Sequence, residues 1–496
     1  MKLNQTKKGD ILYMISITET IKNASINEFE FHKKILTDVL NNIFYNVDFD
    51  DLRMRKLDID RDLSRLILNN VPICYFSKAI TYSIEYIDTL YFNSNERKSK
   101  YYSKGKFKRT LLSLNGEFSF YRYSYIDKYS KNKHFYFIDE LFNLKKRVLL
   151  TPTTMNKLFY LIGKHSSIAL AGMELGSYIL KHNDISERFK YISRATACNY
   201  LKKYNIQENF LPLHIKANTI YIELDEHFVP EQLSKNEKAI RSQNNLNKKS
   251  RIEVKAAKIY TGRQQYKSDK SKICYINRFI LLDDLSGNFK NRLFEFVCAT
   301  FDLDYVQNIY IQGDGANWIK TSVDLFDNKK AYYLMDKFHY FQALTNITTF
   351  KNKEEYNVGK EYILNADREG FKKWLVCFKN NNSSRMDTID EKSKYILNNW
   401  SAFERTLTSH SKCAMESCIS HSLASICSSR PKGFKRGTLR KRLHIRSMYL
   451  NAFNDEELFY KQLRIHSPLY KENDVNFSFF DDQIKSLTYT AHKGGY

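Results

Sequence analysis

A mixed α/β fold is predicted by three features of this chain. Thr219-Ile-Tyr-Ile-Glu-Leu-Asp225 alternates with the period of two that a strand requires, with Ile220, Ile222 and Leu224 on one face and Tyr221, Glu223 and Asp225 on the other. Asn308-Ile-Tyr-Ile-Gln312 repeats that alternation and runs into Gly313-Asp314-Gly315, where the glycines allow a sharp turn that leaves Asp314 at the tip of a strand. Further strand signals and stretches of helical period occupy the residues between and after these two segments.

Composition bounds the rest. At 496 residues the chain exceeds one ordinary core, and 43% hydrophobic with 15% aromatic residues supplies apolar surface for two to four domains. Lys and Arg number 79 against 55 for Asp and Glu, a formal charge of +24 that points to a polyanionic partner, nucleic acid above all. A membrane is not expected, because no apolar run reaches the roughly 18 residues that spanning requires. The N-terminus, Met1-Lys-Leu-Asn-Gln-Thr-Lys-Lys-Gly-Asp10, carries no apolar export segment, so a cytoplasmic location is expected. Eight cysteines without a CxxC pair give neither a zinc ribbon nor a disulfide framework.

Residues 1–100 read as a helical region, with Ile35, Leu36, Val39, Leu40 and Ile43 at helical spacing. Residues 101–145 form a basic hairpin region: two alternating runs flank Asn115-Gly116, a pair suited to the positive φ values of a type I′ turn. Lys106, Lys108 and Arg109 on its flank are candidate phosphate contacts, against the plain alternative of a solvated face. Residues 146–210 are helical again, and Ser193 can cap a short helix exposing Arg194, Thr196 and Asn199 as a helix-turn-helix reading helix does.

Residues 214–340 carry strand signals near 219–225, 252–260, 276–283, 308–313 and 331–335, with a helix near 288–303 and another opening after Asp314. A three-strand meander followed by crossover helices is the order of a ribonuclease H-like core. Residues 341–408 have no strand signal and read as an α-helical insertion. Residues 409–450 would supply the closing helix and a basic segment, with 451–496 as a C-terminal tail.

Carboxylates brought together repel one another, and divalent cations relieve that repulsion. Asp225, Asp314 and Glu416 are the candidate catalytic residues and metal ligands, for two Mg²⁺ ions or Mn²⁺ in their place. Glu223 and Glu226 are rival ligands, and any one such acid alone is more often a turn, cap or boundary residue. Glu416 borders a core-facing stripe of Met415, Ile419, Leu423 and Ile426. Asp336 and His339, three apart, would share a helix face and support the site, as would His421. Lys320 and the cations Arg430, Lys432, Lys435 and Arg436 are candidate DNA-backbone contacts beside it.

Gly313-Asp-Gly-Ala-Asn-Trp-Ile-Lys320, Asp336-Lys-Phe-His339 and Glu416-Ser-Cys-Ile-Ser-His421 with Ser428-Ser-Arg-Pro-Lys-Gly433 together resemble the ISLre2 family of bacterial insertion-sequence transposases, also catalogued as an uncharacterised protein family. The likeness extends more weakly over most of the chain from about residue 100. It implies a DDE-type transposase whose acidic positions are Asp225, Asp314 and Glu416, and an Asp336-to-His339 pair similar to the C/DxxH feature of transposases with helical insertions. DNA partners would be the element's terminal inverted repeats and target DNA, handled by a homo-oligomer. The departures are Phe434 where Trp is usual, Ile426 where a basic residue is common, and Glu226-His-Phe-Val229 after the first acid. A catalytically inactive DNA-binding derivative and a ribonuclease H-like nuclease without strand transfer are the alternatives.

Overall fold

The computed structural model describes residues 29–44, 47–54, 57–71, 75–130, 134–182, 192–244, 250–265, 273–326, 330–349, 352–409, 415–427 and 433–466. It divides into two compact units: Met1–Leu161 with Ala171–Arg194 and Tyr470–Tyr496, and Ile162–Leu170 with Ala195–Leu469. Among the described residues, no helix is long and apolar enough to cross a membrane.

The first unit centres on helix α1, Phe76–Asn93, and an antiparallel hairpin of β1, Tyr101–Ser113, and β2, Gly116–Asp127. Helix α1 buries Phe76, Ala79, Ile80, Ile84, Ile87 and Tyr91, an apolar stripe at helical spacing. A second, polar stripe of the same helix satisfies one edge of β2. Ser77 and Thr81 donate to the carbonyls of Glu117 and Ser119, both at 3.3 Å, while Glu85 and Asp88 accept from the amides of Tyr121 at 2.8 Å and Tyr123 at 2.6 Å. One helical turn nearly matches two strand residues in length, so these side chains cover an edge that would otherwise invite another strand.

The hairpin turn differs from the one its Asn-Gly pair suggests. Ser113 pairs with Gly116, so Leu114 and Asn115 form the loop, and only Gly116 takes a positive φ, at 116°. Ser113 Oγ accepts from the Asn115 amide at 3.0 Å and Asp60 accepts from the Leu114 amide at 3.2 Å, which anchors the turn one residue earlier than a type I′ Asn-Gly turn would sit.

The second unit contains a five-stranded mixed sheet. Its strands are β3, Thr219–Pro230; β4, Arg251–Tyr260; β7, Phe279–Leu282; β8, Asn308–Gly313; and β9, Lys330–Met335. A two-stranded ribbon of β5, Gly262–Gln265, and β6, Ile273–Ile276, interrupts the meander. The strand expected over 276–283 is shortened because Asn277, at φ 47°, turns the chain between the ribbon and β7. The order across the sheet is β9-β8-β3-β4-β7, with β8 parallel to β3 and β9, and β4 antiparallel to β3 and β7.

One face of this sheet packs Ile220, Ile222, Leu224, Ile309 and Ile311 against helix α3, Phe289–Thr300, and helix α4, Lys337–Thr348. The helical segment that follows shares this core rather than standing apart from it. It comprises α5, Lys353–Leu364; α6, Arg368–Asn380; α7, Met386–Asn398; and α8, Trp400–Thr408, and contributes Phe371, Ile389, Ile396, Trp400 and Phe403. On the other face, Val229, Val254, Ala256, Ile280 and Leu282 meet Met415, Ile419, Leu423 and Ile426 and the buried side of α10, Arg436–Asn451. The first two of these four come from α9, Met415–Ile419; the third lies in a π-helical turn, Ser420–Ala424, and the last in Ser425–Cys427.

The strand register arranges that second face in rows. Tyr260, Tyr221, Tyr310 and Tyr332 lie side by side on four adjacent strands, with neighbouring ring centroids 5.2, 5.5 and 5.9 Å apart. The next row is Lys258, Glu223, Gln312 and Leu334. Glu223 is buried and accepts from Tyr260 Oη at 2.7 Å and from Lys258 Nζ at 3.3 Å, so this charge is paired where it is taken out of water. The row after that begins with Ala256 and Asp225 and continues, beyond the paired ends of β8 and β9, with Asp314 and Asp336.

Gly313 closes β8 because nothing larger fits. A Cβ there would meet Ile319 Cδ1 at 2.7 Å and the Leu224 carbonyl oxygen at 3.0 Å. Replacing it with alanine is therefore expected to destabilise the protein by about 1–3 kcal/mol, the usual cost of overpacking, measured by urea denaturation. Unchanged stability in Gly313→Ala would contradict this packing.

Candidate active site

Three carboxylates stand level with one another on three adjacent parallel strands, just past the ends of β8 and β9 but five residues before the end of β3, which runs on beyond Asp225 to Pro230 instead of ending where its alternation does. Asp225 lies within β3, Asp314 follows β8 and Asp336 follows β9. Ligand sites in open α/β sheets favour this end, because loops leave the strands there and side chains from different strands converge.

Local structure fixes each acid. The Asp225 carboxylate accepts from the Glu226 amide at 2.8 Å. Asp314 accepts from the Ala316 amide at 2.9 Å across Gly315, whose φ of +98° is open to glycine at little cost. Asp336 caps helix α4 by accepting from the Phe338 amide at 3.1 Å, and its other oxygen lies 2.8 Å from His339 Nδ1.

The electrostatics show that these groups sense one another. Burial raises the Asp225 carboxyl to about 6; the charge of Asp314 adds to the rise, and His339 opposes it. His339 is pushed upward, first by its bond to Asp336 and then by the charges of Asp336, Asp314 and Asp225. Glu226 is also raised by burial, while Trp318 Nε1 donates to its carboxylate and Lys255 sits 4.9 Å from the Trp318 ring centroid. Asp225 and Asp314 thus concentrate negative charge with one imidazole as partial compensation, a donor set that suits a hard, oxygen-seeking divalent cation. Among the described residues, no group of three His, Cys, Asp or Glu side chains could hold a metal ion by itself.

Helix α9, which carries Glu416, packs against β3 and β4. The Glu416 side chain lies outside the described residues, as do Arg430 and Lys432. Two residues on from Glu416, burial pushes the Cys418 thiol up, with Lys258 and Glu223 acting on it in opposite directions. The helix is also tied down from its far end. Buried Arg446 donates to the His421, Ser422 and Gly163 carbonyls at 3.0, 3.2 and 2.7 Å, while His421 itself is exposed.

The remaining candidates lie on several surfaces. Lys320 ends the short helix Asn317–Lys320 after the Asp314 loop and is half-buried. Lys435 and Arg436 are exposed, and hydrogen bonds between Phe434 and both Pro230 and Gln232 fasten their segment to the end of β3. Helix α2, Arg194–Lys203, buries Ala197, Tyr200 and Leu201 and leaves Arg194 and Asn199 exposed and Thr196 half-buried. In the hairpin of the first unit, Lys106 and Lys108 are exposed, whereas Arg109 is 9% exposed and turned inward onto Asp139. Arg109 also donates to the Lys145 carbonyl at 2.8 Å, and Arg122 joins the same carboxylate at 2.6 Å. The phosphate contact expected of Arg109 is thus replaced by a structural ion pair that a basic run in sequence does not distinguish.

Two contacts at the site are not anticipated by the sequence reading. Tyr395 Oη donates to the Asp314 carbonyl from a helix of the insertion, and Trp318 orients Glu226. Asn317-Trp318 is visible as part of the loop motif, but no periodicity marks Tyr395 as a neighbour of Asp314.

Comparison with known proteins gives a family rather than an activity. The uncharacterised protein family UPF0236 matches residues 61–461. A UPF0236 protein of Caldanaerobacter subterraneus subsp. tengcongensis, whose name joins locus designations from TTE0033 to TTE2212, is 24% identical over 429 residues, covering 83% of this chain and 82% of its own length. UPF0236 protein TTE2489 of the same organism is 24% identical over 419 residues, covering 79% of this chain and 80% of its own. With the match extending over most of its length, the chain belongs to the uncharacterised protein family UPF0236.

Proposed function

We propose that this protein is a DDE-type transposase of the ISLre2 kind, with a ribonuclease H-like core that cleaves and rejoins DNA. The observation that carries this reading is the placement of Asp225 and Asp314, two residues beyond the last paired residues Glu223 and Gln312 of neighbouring parallel strands, in a sheet ordered β9-β8-β3-β4-β7. Asp225, Asp314 and Glu416 would hold two Mg²⁺ ions, or Mn²⁺, which when bound supply charge neutralisation at the transferring phosphate. Water attacks a phosphodiester at the element end and frees a 3′-hydroxyl; that hydroxyl then attacks a target phosphodiester in line, so one P–O bond forms as another breaks. No covalent protein intermediate is needed.

The chain's own residues do the positioning. Asp314 is held by its turn and by Tyr395, Asp336 fixes the His339 ring, and exposed Lys435 and Arg436 offer backbone contacts to DNA. Arg194, Thr196 and Asn199 on α2 and Lys106 and Lys108 on the hairpin are proposed as element-end contacts. The +24 charge fits a DNA partner in the cytoplasm. A relative's name that joins many loci fits a sequence present in several genomic copies, as mobile elements are. Processing two ends together calls for a homo-oligomer on DNA.

Incubation of the protein with Mg²⁺ and inverted-repeat DNA is expected to yield cleaved ends and joined target products. Asp314→Asn and Asp225→Asn should each reduce product by at least about a thousandfold while DNA binding by mobility shift is retained. Cleavage without joining would replace the transposase reading with a nuclease, and DNA binding without either reaction would leave a catalytically inactive derivative.

A second expectation concerns stability. Because burial raises the folded Asp225 carboxyl to about 6, above the ordinary 3.8 of an aspartate, the folded state binds this proton more tightly, and stability is lost as pH rises through that interval. Without divalent cations, Asp225→Asn should therefore melt above wild type at pH 7.5, with the difference shrinking towards pH 4. Mg²⁺ should raise the wild-type Tm at pH 7.5 more than that of the variant. Equal melting of the two proteins at both pH values, with no response to Mg²⁺, would contradict the assigned electrostatics.

A further inference from the structure

The helical insertion touches the candidate site at one place. Tyr395, near the end of α7, donates its hydroxyl to the Asp314 carbonyl, and its Cε2 atom lies 3.3 Å from where a Gly315 Cβ would be. Four residues on, Asn399 completes the contact: its Nδ2 and Oδ1 lie 3.4 and 3.5 Å from that same point. Asn399 is 3% exposed, and its Nδ2 donates to the Tyr395 carbonyl at 2.8 Å. Its Oδ1 is buried and has no hydrogen-bond partner among the described residues. Folding rarely leaves a buried amide oxygen so, and here the orphan faces the glycine beside a candidate ligand.

The residues behind this contact are buried and packed. Ile396, Trp400 and Phe403 lie in the same core as the sheet, Phe403 stacks on Tyr340 with ring centroids 4.1 Å apart, and Tyr340 Oη donates to the Ile396 carbonyl at 3.0 Å. A loop with positive φ at Gly315 can shift at little cost, whereas a hydroxyl and a carboxamide presented by packed helices cannot.

We infer that Tyr395 and Asn399 are positioning residues that hold the Asp314-Gly315 turn against Asp225, making the helical insertion part of the cation site. This rests on the reading of Asp225 and Asp314 as cation ligands. Groups that orient a metal ligand without touching the metal typically change affinity by 10–100-fold when removed. The insertion would then couple site assembly to its own packing: anything that displaces α7 relative to the sheet would loosen Asp314.

The test measures Mn²⁺ binding to the full chain by electron paramagnetic resonance, alongside Tm and the rate of DNA cleavage. Tyr395→Phe keeps the ring and removes only the hydroxyl; it is expected to weaken Mn²⁺ binding about tenfold and to lower the cleavage rate with the Kd for DNA unchanged. Asn399→Ala should act in the same direction. Ser393→Ala removes a buried hydroxyl whose bonds, to the Ile389 and Asp390 carbonyls, are internal to α7 and do not touch the Asp314 turn, so it should leave Mn²⁺ affinity at the wild-type value. Asp314→Asn supplies the reference loss. Wild-type Mn²⁺ affinity in Tyr395→Phe, with affinity lost in Asp314→Asn, would overturn the positioning role alone. Wild-type affinity in Asp314→Asn would overturn the cation site on which it rests. Equal weakening in Tyr395→Phe and Ser393→Ala would make the effect a general loosening of α7 and would also overturn the inference.

Discussion

Parallel pairing of β3, β8 and β9 is the constraint from which the site follows. Hydrogen-bonded register sets Gln312 beside Glu223 and Gly313 beside Met335, and so brings acids that are distant in sequence to one end of one sheet. Like charges in that position oppose folding. The fold accommodates them through an apolar face of Ile220, Ile222, Leu224, Ile309 and Ile311 beneath, and through a paired Glu223 and Lys258 one row behind. The sheet register thus sets where the carboxylates stand, and the Asp314 turn beyond the end of β8 is held in addition by Tyr395.

Both sheet faces serve that row. On one, α3, α4 and the insertion share a single core that keeps Tyr395 and Asn399 at the Asp314 turn. On the other, Met415, Ile419, Leu423 and Ile426 dock α9 and its continuation, and the Arg446 guanidinium pins the backbone at His421 and Ser422. Arg446 is buried among carbonyl acceptors, and burial lowers its affinity for a proton. Removing so buried a cation's partners is costly, so the arrangement ties the helix that carries Glu416 to the rest of the unit.

Much of this was legible in the sequence because period-two alternation and helical stripes report burial directly. The strands over 219–225, 308–313 and 331–335, and the stripe from Met415 to Ile426, are where those patterns place them. Patterns of that kind do not report hydrogen bonds made across the chain. The turn at Leu114-Asn115 depends on Asp60, the inward turn of Arg109 depends on Asp139, and the contact of Tyr395 with Asp314 depends on the insertion folding back onto the sheet. The break at Asn277 is similarly hidden, since a single residue at positive φ divides what reads as one strand into a ribbon and β7. The acids Asp225 and Asp314 were legible because each ends an alternating run; their mutual influence on protonation was not, because it depends on register.

The most direct test of the central claim is anomalous X-ray diffraction from crystals of the protein grown with Mn²⁺. An anomalous peak beside the carboxylates of Asp225 and Asp314, with Glu416 at the same density, is the expected result. A structure in which Mn²⁺ at millimolar concentration leaves both carboxylates without a peak, or in which Asp225 and Asp314 bind separate ions far from one another, would contradict it.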